Sequence, residues 1–318
     1  MTTATDVTAP AAVEPVVAPP PRRRRRTPVT WVRHGGLTTL LFFVPLLLSF
    51  GYFSWWPILR SLVLSLQQTN FLTSTWVGLA NFQRVLADPL LGTAVWNTTY
   101  FSLLAVVIGF PIPILTAVFL AEMRRTRGLG SALAYLPVII PPVVAVLLWK
   151  AFYDPSENGL FNTILGWFGV GPIAWLNDPD LVIPSLVLYA TWAGFGTGVI
   201  IYLATLMTIR TELYEAAEID GARILRRFWH VTLPQMRGIL LIMLLLQLIG
   251  TFQTFTEPYI MTGGGPENRS LTILLLIYRY AFVAGDYGRA TALSLLLAVA
   301  LSLLSGLYMW ATRRWSTS

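Results

Sequence analysis

Six long apolar runs, separated by polar segments, dominate the pattern of side chains along this chain. They cover residues 37–56, 101–120, 131–149, 183–206, 239–256 and 290–312. Each is close to the roughly twenty residues that an α-helix needs to cross the hydrocarbon core of a bilayer. The pattern therefore predicts an all-α integral membrane protein with six transmembrane helices.

Prolines interrupt two of these runs. Pro111 and Pro113 lie in the second run, and Pro137, Pro141 and Pro142 lie in the third. Proline removes a backbone donor and clashes with the preceding turn, so we expect both helices to be kinked. Neighbouring helices must then satisfy the freed carbonyl groups.

The composition agrees with a membrane domain. Of the 318 residues, 55% are hydrophobic and only 12% are charged, which is far more apolar than a soluble domain. The first run is too long for a signal-peptide core and no small-residue cleavage site follows it, so we predict an uncleaved first span. Cysteine is absent, which excludes disulfides and thiolate metal sites.

Basic residues give the orientation. Most of the 22 Lys and Arg residues cluster before the first run, after the second and fourth runs, and after the sixth. The positive-inside rule therefore predicts that both termini are cytoplasmic. We expect residues 1–36 to form a disordered basic arm at an anionic lipid surface, rather than a nucleic-acid patch, and residues 37–318 to form one membrane domain. The arginines concerned are Arg22–Arg26, Arg33, Arg124, Arg125, Arg127, Arg210, Arg223, Arg226, Arg227, Arg237, Arg313 and Arg314.

The outer connections then comprise residues 59–97, 152–182 and 261–289. The third opens with Gly263–Pro266, which turn chemistry explains. It continues through a short apolar stretch, residues 271–278. Because that stretch is too short to cross a bilayer, we predict an interfacial or re-entrant helix there.

A polar segment at residues 207–238 joins the fourth and fifth runs. Its first part is rich in Glu and Ala, which favours a helix, and Gly221 then supplies a turn. A second helical run has apolar residues spaced three and four apart, and Pro234 predicts a break or restart before the fifth run. The acids are Glu212, Glu215 and Glu218, and the apolar residues are Leu225, Phe228 and Trp229.

This segment resembles the EAA loop of bacterial ABC importer permeases. The resemblance implies that the loop docks into a cleft of a separate ATPase subunit and transmits its closure to the membrane helices. The alternative is an ordinary solvated amphipathic connector, because short motifs often mislead. The matching positions are Glu215, Ala216, Ala217, Gly221, Leu233 and Pro234, with Val231 where isoleucine is usual.

Further segments resemble the sugar-permease branch of that family. The resemblance implies a type I ABC importer for sugars or oligosaccharides in a bacterial inner or plasma membrane. In such an importer two permeases pair as a heterodimer, two ATP-binding subunits lie below them, and an extracytoplasmic solute-binding protein delivers the substrate. The segments are Pro57–Ser65, Gly78–Phe82, Asn97–Thr98, Tyr259–Pro266, Tyr280–Phe282 and Asp286–Gly288.

The resemblance also assigns roles within the loop. Glu215 is expected to make the charged contact with the ATPase, the alanines to allow close approach, and Gly221 to set the turn. Apolar side chains of the second helix are expected to anchor the loop, although Trp229 is equally suited to the headgroup boundary. The predicted coupling residues are Glu215, Ala216, Ala217, Asp220, Gly221, Leu225, Phe228, Leu233 and Pro234.

Polar and aromatic residues in the fourth and fifth runs are candidates for contact with a sugar. Such groups are costly inside a membrane unless they face a pathway or a neighbouring helix. The alternative for the two glutamines is that they only join helices. The predicted pathway residues are Trp192, Phe195, Gln247, Phe252, Gln253, Phe255, Glu257 and Tyr259.

The chain offers no chemistry of its own. Its only lysine, Lys150, follows Leu148 and Trp149, so a Walker A loop is excluded. We therefore predict a non-enzyme that binds no cofactor, with ATP and Mg²⁺ held by the partner ATPase. The two histidines, His34 and His230, have no metal-ligand spacing around them.

Two rival functions remain open. One is an ABC permease for glycerol phosphate, amino acids or phosphonates. The other is an ion-coupled secondary transporter, which should show internal repeats and acids embedded in the membrane. No repeat is evident, and Glu257 is the only acid near the end of a span.

Overall fold

A computed structural model describes residues 37–69, 73–123 and 125–316. The predicted basic arm at residues 1–36, and Arg124, lie outside the described residues. The chain divides into two compact units, Met1–Ile58 and Leu59–Ser318.

The described part of the first unit is helical throughout. It contains α1 (Leu37–Phe50), a π-helical turn at Gly51–Trp55, and the first residues of α2 (Trp56–Ser65). Together they form a span at Thr38–Ser65. The helix continues past the first apolar run, which ends at Trp56, and it includes residue 59, the predicted start of the first outer connection.

The second span is longer than its apolar run and begins at residue 89 rather than 101. It contains α4 (Pro89–Leu104), a π turn at Ala105–Gly109 and α5 (Pro111–Glu122). The N–H of Phe110 donates to the carbonyl of Ala105 at 3.0 Å. This shifted hydrogen bond places the first proline at the start of α5, where its missing donor costs little. The prolines thus follow a π turn, and the chain continues as one span.

The third run is sharply bent. Helix α6 (Arg127–Ile139) and helix α7 (Pro142–Phe152) meet at 94°. Ile140 and Pro141 each precede a proline and both have extended backbone, as the proline ring requires of the preceding residue. The predicted kink is confirmed here. The described residues contain five helices suited to cross a membrane, or six when the bent pair counts as one span.

The remaining elements precede the second span or follow the third. Two short strands, β1 (Gln67–Thr69) and β2 (Ser74–Trp76), pair antiparallel, and α3 (Ala80–Leu86) follows them. The later helices are α8 (Leu160–Gly166), α9 (Val182–Leu206), α10 (Thr211–Ile219), α11 (Ile224–Arg227), α12 (Leu233–Phe252), α13 (Ile273–Tyr278) and α14 (Tyr287–Ser316).

Helix α9 forms the fourth span. Helices α11 and α12 flank a π turn at Phe228–Thr232, and together they form one long helix that includes the fifth span. Two further π turns lie at Pro258–Thr262 and Arg279–Val283.

Of the five unbroken spans in the described residues, α9 has the largest share of buried residues. It packs against α5 and α6. A Cβ atom on Gly196 would collide with the backbone of Ala134 and Tyr135, and one on Gly198 would press on Pro113. Small residues therefore let the backbones approach closely, as is common between membrane helices.

The short apolar stretch after the glycine-rich turn forms α13, and whether this helix is interfacial or re-entrant stays a prediction. Leu271, Leu275 and Leu276 are buried in a cluster shared with α3, α4 and α14. Two polar residues of the second span hold the backbone there. Asn97 donates to the carbonyl of Leu271 at 3.1 Å, and Thr98 accepts from the N–H of Ile273 at 3.0 Å. Contacts distant in sequence therefore bury a stretch too short to span.

An ionic network ties the start of the second span to the start of the sixth. Asp88 caps α4 by accepting from the N–H of Leu90 at 2.8 Å, accepts from the Tyr280 hydroxyl at 2.6 Å, and pairs with Arg289. Burial raises the pKa of the Asp88 carboxyl, but the hydrogen bonds from Tyr280 and Leu90, together with Arg289, outweigh it and lower the pKa. A second pair joins Arg84 to the N-terminal end of α14.

We predict that Asp88→Asn lowers the stability of the protein at pH 7 by roughly 2 kcal/mol, because charge-assisted hydrogen bonds are lost and Arg289 is left unpaired. The lowered pKa means that this contribution is present above the unfolded-state value of about 3.9 and is lost as the pH falls through the folded-state value. Thermal unfolding in detergent at pH 7 and at pH 3 measures it. Asp180→Asn, at an exposed position, is the control, and equal melting temperatures of the two variants at pH 7 would contradict the prediction.

Candidate coupling loop and intramembrane site

The polar loop forms the predicted helix, turn and second helix. Helix α10 ends in a Schellman motif: Gly221 has φ +72°, its N–H donates to the carbonyl of Glu218, and the N–H of Ala222 donates to the carbonyl of Ala217, both at 2.9 Å. Glycine adopts this left-handed conformation without a Cβ clash. The turn therefore follows from the sequence, and the backbone within it is hydrogen-bonded.

Pro234 marks a restart and not a break, because an α-helix begins at Leu233 directly after a π turn. One helix runs from Ile224 to Phe252. Just before the proline, the π turn lets the N–H of Leu233 donate to the carbonyl of Phe228. The π turn shifts the helical hydrogen-bond pattern just before Pro234. The missing backbone N–H of the proline therefore does not interrupt the helix. The loop is thereby continuous with the fifth span.

Two side-chain contacts join the two arms of the loop. Arg227 forms an ion pair with Glu218. The hydroxyl of Tyr214 lies 3.1 Å from that of Thr232, which is buried. These contacts connect α10 to the helix that enters the membrane, so the two arms are held together as one piece.

The loop carries large apolar side chains that nothing in the described chain covers. Ile219 is 87% exposed, Leu225 is 75% exposed and Trp229 is 63% exposed. Phe228 instead packs against the inner cluster around Met236. Exposed apolar residues concentrated on one loop indicate a contact surface for another protein.

The predicted coupling residues are thus divided by their surroundings. The outward-facing members include the acid and turn positions, whereas Phe228 contributes to packing and Ala217 and Leu233 are half-buried. A cavity of about 340 Å³ between the arms has Ala216, Ala217 and Asp220 in its lining. The exposed members are Glu215, Ala216, Asp220, Gly221, Leu225 and Pro234.

A second candidate site lies within the membrane-spanning part. A cavity of about 250 Å³ is enclosed by the π turn of the second span, α9 and α12. The amide nitrogen of Gln247 donates to the carbonyl of Ala105 at 2.6 Å. A Cβ atom on Gly109 would lie 2.9 Å from the Thr191 hydroxyl oxygen. The small residue and the π turn therefore make room for polar side chains from two other spans.

The structure brings only one of the predicted pathway residues, Gln247, to this cavity. The side-chain amide of Gln253 donates to the backbone carbonyl of Ile249, in its own helix, at 3.2 Å. Trp192 lies 5.3 Å from the ring of Trp149 in an aromatic cluster, and Phe195 packs against the inner cluster. Phe252 is half-buried away from the cavity lining.

The remaining pathway candidates form a separate group near the end of the fifth span. Phe255 stacks on Tyr259 with ring centroids 5.1 Å apart, and the Tyr259 hydroxyl lies 3.2 Å from that of Tyr278. Glu257 accepts from the Thr254 hydroxyl at 3.1 Å. These residues stabilise one another rather than converging with Gln247.

Several lining residues of the cavity were missed from the sequence. They are small or weakly polar, so composition alone does not distinguish them from helix packing. The π turn that opens the cavity depends on tertiary contacts. The missed residues are Gly109, Thr191, Thr197, Tyr202 and Thr251.

No group of three or more His, Asp or Glu side chains capable of holding a metal occurs within residues 37–69, 73–123 and 125–316. The expectation that this chain binds no cofactor stays a prediction.

Comparisons with known proteins agree on one family. Residues 109–317 match the model of the binding-protein-dependent transport system inner membrane component. The chain is 30% identical over 267 residues to the arabinooligosaccharides transport system permease protein AraP of Bacillus subtilis, covering 83% of this chain and 85% of that protein. It is 33% identical over 258 residues to the trehalose/maltose transport system permease protein MalF of Thermococcus litoralis, covering 80% and 87%.

A solved structure has the same fold. A chain of a bacterial alginate ABC transporter, crystallised in complex with an alginate pentasaccharide-bound periplasmic protein, matches with a TM-score of 0.80 and 25% identity, covering 91% of this chain and 98% of that one. The type I ABC importer permease fold is therefore confirmed. The chain is a multi-pass membrane protein that belongs to the family of inner membrane components of binding-protein-dependent transport systems.

Proposed function

We propose that this chain is a permease subunit of an ATP-driven, binding-protein-dependent importer of sugars or oligosaccharides. The observation that carries the proposal is the braced loop of exposed apolar and acidic residues, which continues without a break into the fifth span. The substrate class is supported by the relatives, which are named for arabinooligosaccharides, trehalose or maltose, and lactose.

The proposal requires partners on both sides of the membrane. A second permease completes the pathway, two ATP-binding subunits hold ATP and Mg²⁺, and a solute-binding protein delivers the sugar. The sequence has no Walker A loop around its only lysine, Lys150, so hydrolysis is assigned to a separate subunit. The alginate transporter structure, which includes a periplasmic protein, supports the solute-binding partner.

Coupling then follows from mechanical continuity. Closure of the ATPase pair moves the docked loop, and Arg227–Glu218 and Tyr214–Thr232 keep its two arms together. The motion passes directly into the fifth span because the helix does not end at Pro234. Rigid-body movement of this kind is sufficient for alternating access around a fixed site.

The intramembrane cavity marks the place on this chain where we propose that the pathway passes. Its volume of about 250 Å³ is below the roughly 300–1,000 Å³ of typical small-molecule pockets. Because a second permease is proposed to complete the pathway, this cavity forms only the share of the route that this chain contributes.

We predict that Glu215→Lys leaves the protein in the membrane but reduces ATP-driven sugar uptake by roughly tenfold or more, because losing an interfacial charge contact costs at least about 2 kcal/mol. Uptake is measured with radiolabelled sugars in proteoliposomes that contain the assembled transporter and its binding protein. Glu212→Lys, one turn earlier on the same helix and also exposed, is the matched control and should retain most of the uptake. Equal uptake by Glu215→Lys and wild type would refute the role of Glu215.

We predict that Gln247→Leu destabilises the protein by roughly 1 kcal/mol, because the carbonyl of Ala105 loses its partner inside the membrane. Gln253→Leu should leave stability nearly unchanged, since that side chain is exposed and bonds only to its own helix. Melting temperatures of the two variants in the same detergent compare them directly. A larger loss for Gln253→Leu would show that the hydrogen bond between the second and fifth spans contributes little.

A further inference from the structure

The connection between the third and fourth spans contains a long uncharged segment. No charged residue occurs between Glu157 and Asp178, whereas both flanks are acidic. The segment forms α8 and the turn that follows it. It lies at the end of α9 opposite the coupling loop, because α9 begins at Val182 and leads into the loop at its other end.

Two large aromatic side chains protrude from the tip of this segment. Trp167 is 77% exposed and Phe168 is 78% exposed. Glycines flank the pair, and Gly169 has φ +73°, a left-handed turn that favours glycine. The aromatic rings therefore project from the protein with no bulky neighbour beside them.

Buried Asn162 holds the segment in a defined shape. The two N–H groups of its amide point to the carbonyls of Asp154, Ser156 and Ile173, 3.1–3.2 Å from the nitrogen, with one N–H shared between two of them. Its side-chain oxygen accepts from the N–H of Ile173 and from the indole N–H of Trp175, both at 3.0 Å. All the hydrogen-bonding groups of this amide are used, and they join the two ends of the segment. The exposed tip thus stands on a structured base.

The base rests on the ends of two spans. Phe161 packs against Trp149 and Tyr153, with ring centroids 5.4 and 5.2 Å apart, and Trp175 lies 5.7 Å from Tyr153. The Tyr153 hydroxyl donates to the carbonyl of Ser185 in the first turns of α9 at 2.7 Å. The segment is therefore fixed at the level where the third span ends and the fourth begins, and the lengths of these spans place the boundary between lipid and water there.

We propose that Trp167 and Phe168 insert into the boundary between the lipid headgroups and acyl chains and anchor this end of the third and fourth spans. Tryptophan is enriched at this depth because its ring is apolar and its N–H seeks polar partners. Other apolar side chains at this end of the protein are exposed as well, namely Leu147 and Leu148 of the third span and Leu160 of α8.

The uncharged character of the tip favours lipid over a protein partner. A solute-binding protein must bind and release repeatedly, and charged groups steer such encounters and fix their register. Here the acids are confined to the flanks of the segment, at Asp154, Glu157, Asp178 and Asp180. The tip offers only apolar and aromatic groups, which suit a lipid surface.

Because the chain has no cysteine, a single spin label tests the proposal in the assembled transporter. Phe168→Cys is labelled in phosphatidylcholine nanodiscs, and its collisions with oxygen, which partitions into lipid, are compared with those of a water-soluble nickel chelate. We expect oxygen to be the stronger relaxant at Phe168→Cys. Asp180→Cys, an exposed position on the same connection, is the control and should respond mainly to nickel.

Three results would overturn lipid insertion. A Phe168→Cys label that nickel reaches freely, and that becomes shielded when the solute-binding protein is added, would identify a docking surface for that protein. A label that nickel reaches under both conditions would show a tip exposed to water. A label shielded from both relaxants without the binding protein would place another subunit over the tip.

Discussion

The absence of water from the hydrocarbon core is the constraint on which the rest of this structure depends. Every backbone donor and acceptor at that depth must find a partner within the protein. Where the second span adopts a π turn, the amide of Gln247 donates to the carbonyl of Ala105. Where α13 packs against the same span, Asn97 and Thr98 of the span form hydrogen bonds with the backbone at the start of α13. Departures from regular helix are therefore also points of contact between spans.

These contacts determine which parts can move together. The coupling loop is joined across its two arms by an ion pair and a hydroxyl contact, and it continues into the fifth span. That span contacts the second, fourth and sixth spans of this chain, but it has a smaller share of buried residues than α9, which packs against α5 and α6. More of its surface is therefore available to other subunits.

Local chemistry explains what could be predicted from the sequence. The apolar runs depend only on length and hydrophobicity. Gly221 could be recognised as the end of α10 because glycine adopts the left-handed conformation of that turn without a steric cost. The bend at Ile140–Pro141 likewise follows from residues that precede proline. The family was also correctly predicted, because the loop motif and the outer segments are contiguous in sequence.

Contacts between distant residues explain what was not predicted. The helix continues past Pro234 because a π turn precedes it, and periodicity does not reveal a π turn. The stretch around Leu275 is buried because three other helices cover it, which its length alone does not show. The cavity at Gln247 requires the close approach of Gly109 and Thr191 from different spans, whereas most of the other predicted pathway residues serve packing elsewhere.

Solute flux through the assembled transporter in proteoliposomes tests the central claim most directly, namely that a separate ATPase drives this chain through its inner loop. We predict sugar uptake only when ATP, the binding protein and an ATPase with its Walker A lysine intact are all present. We also predict that an ion gradient alone drives none. Uptake driven by an ion gradient through the permeases without the ATPase subunits would contradict the claim.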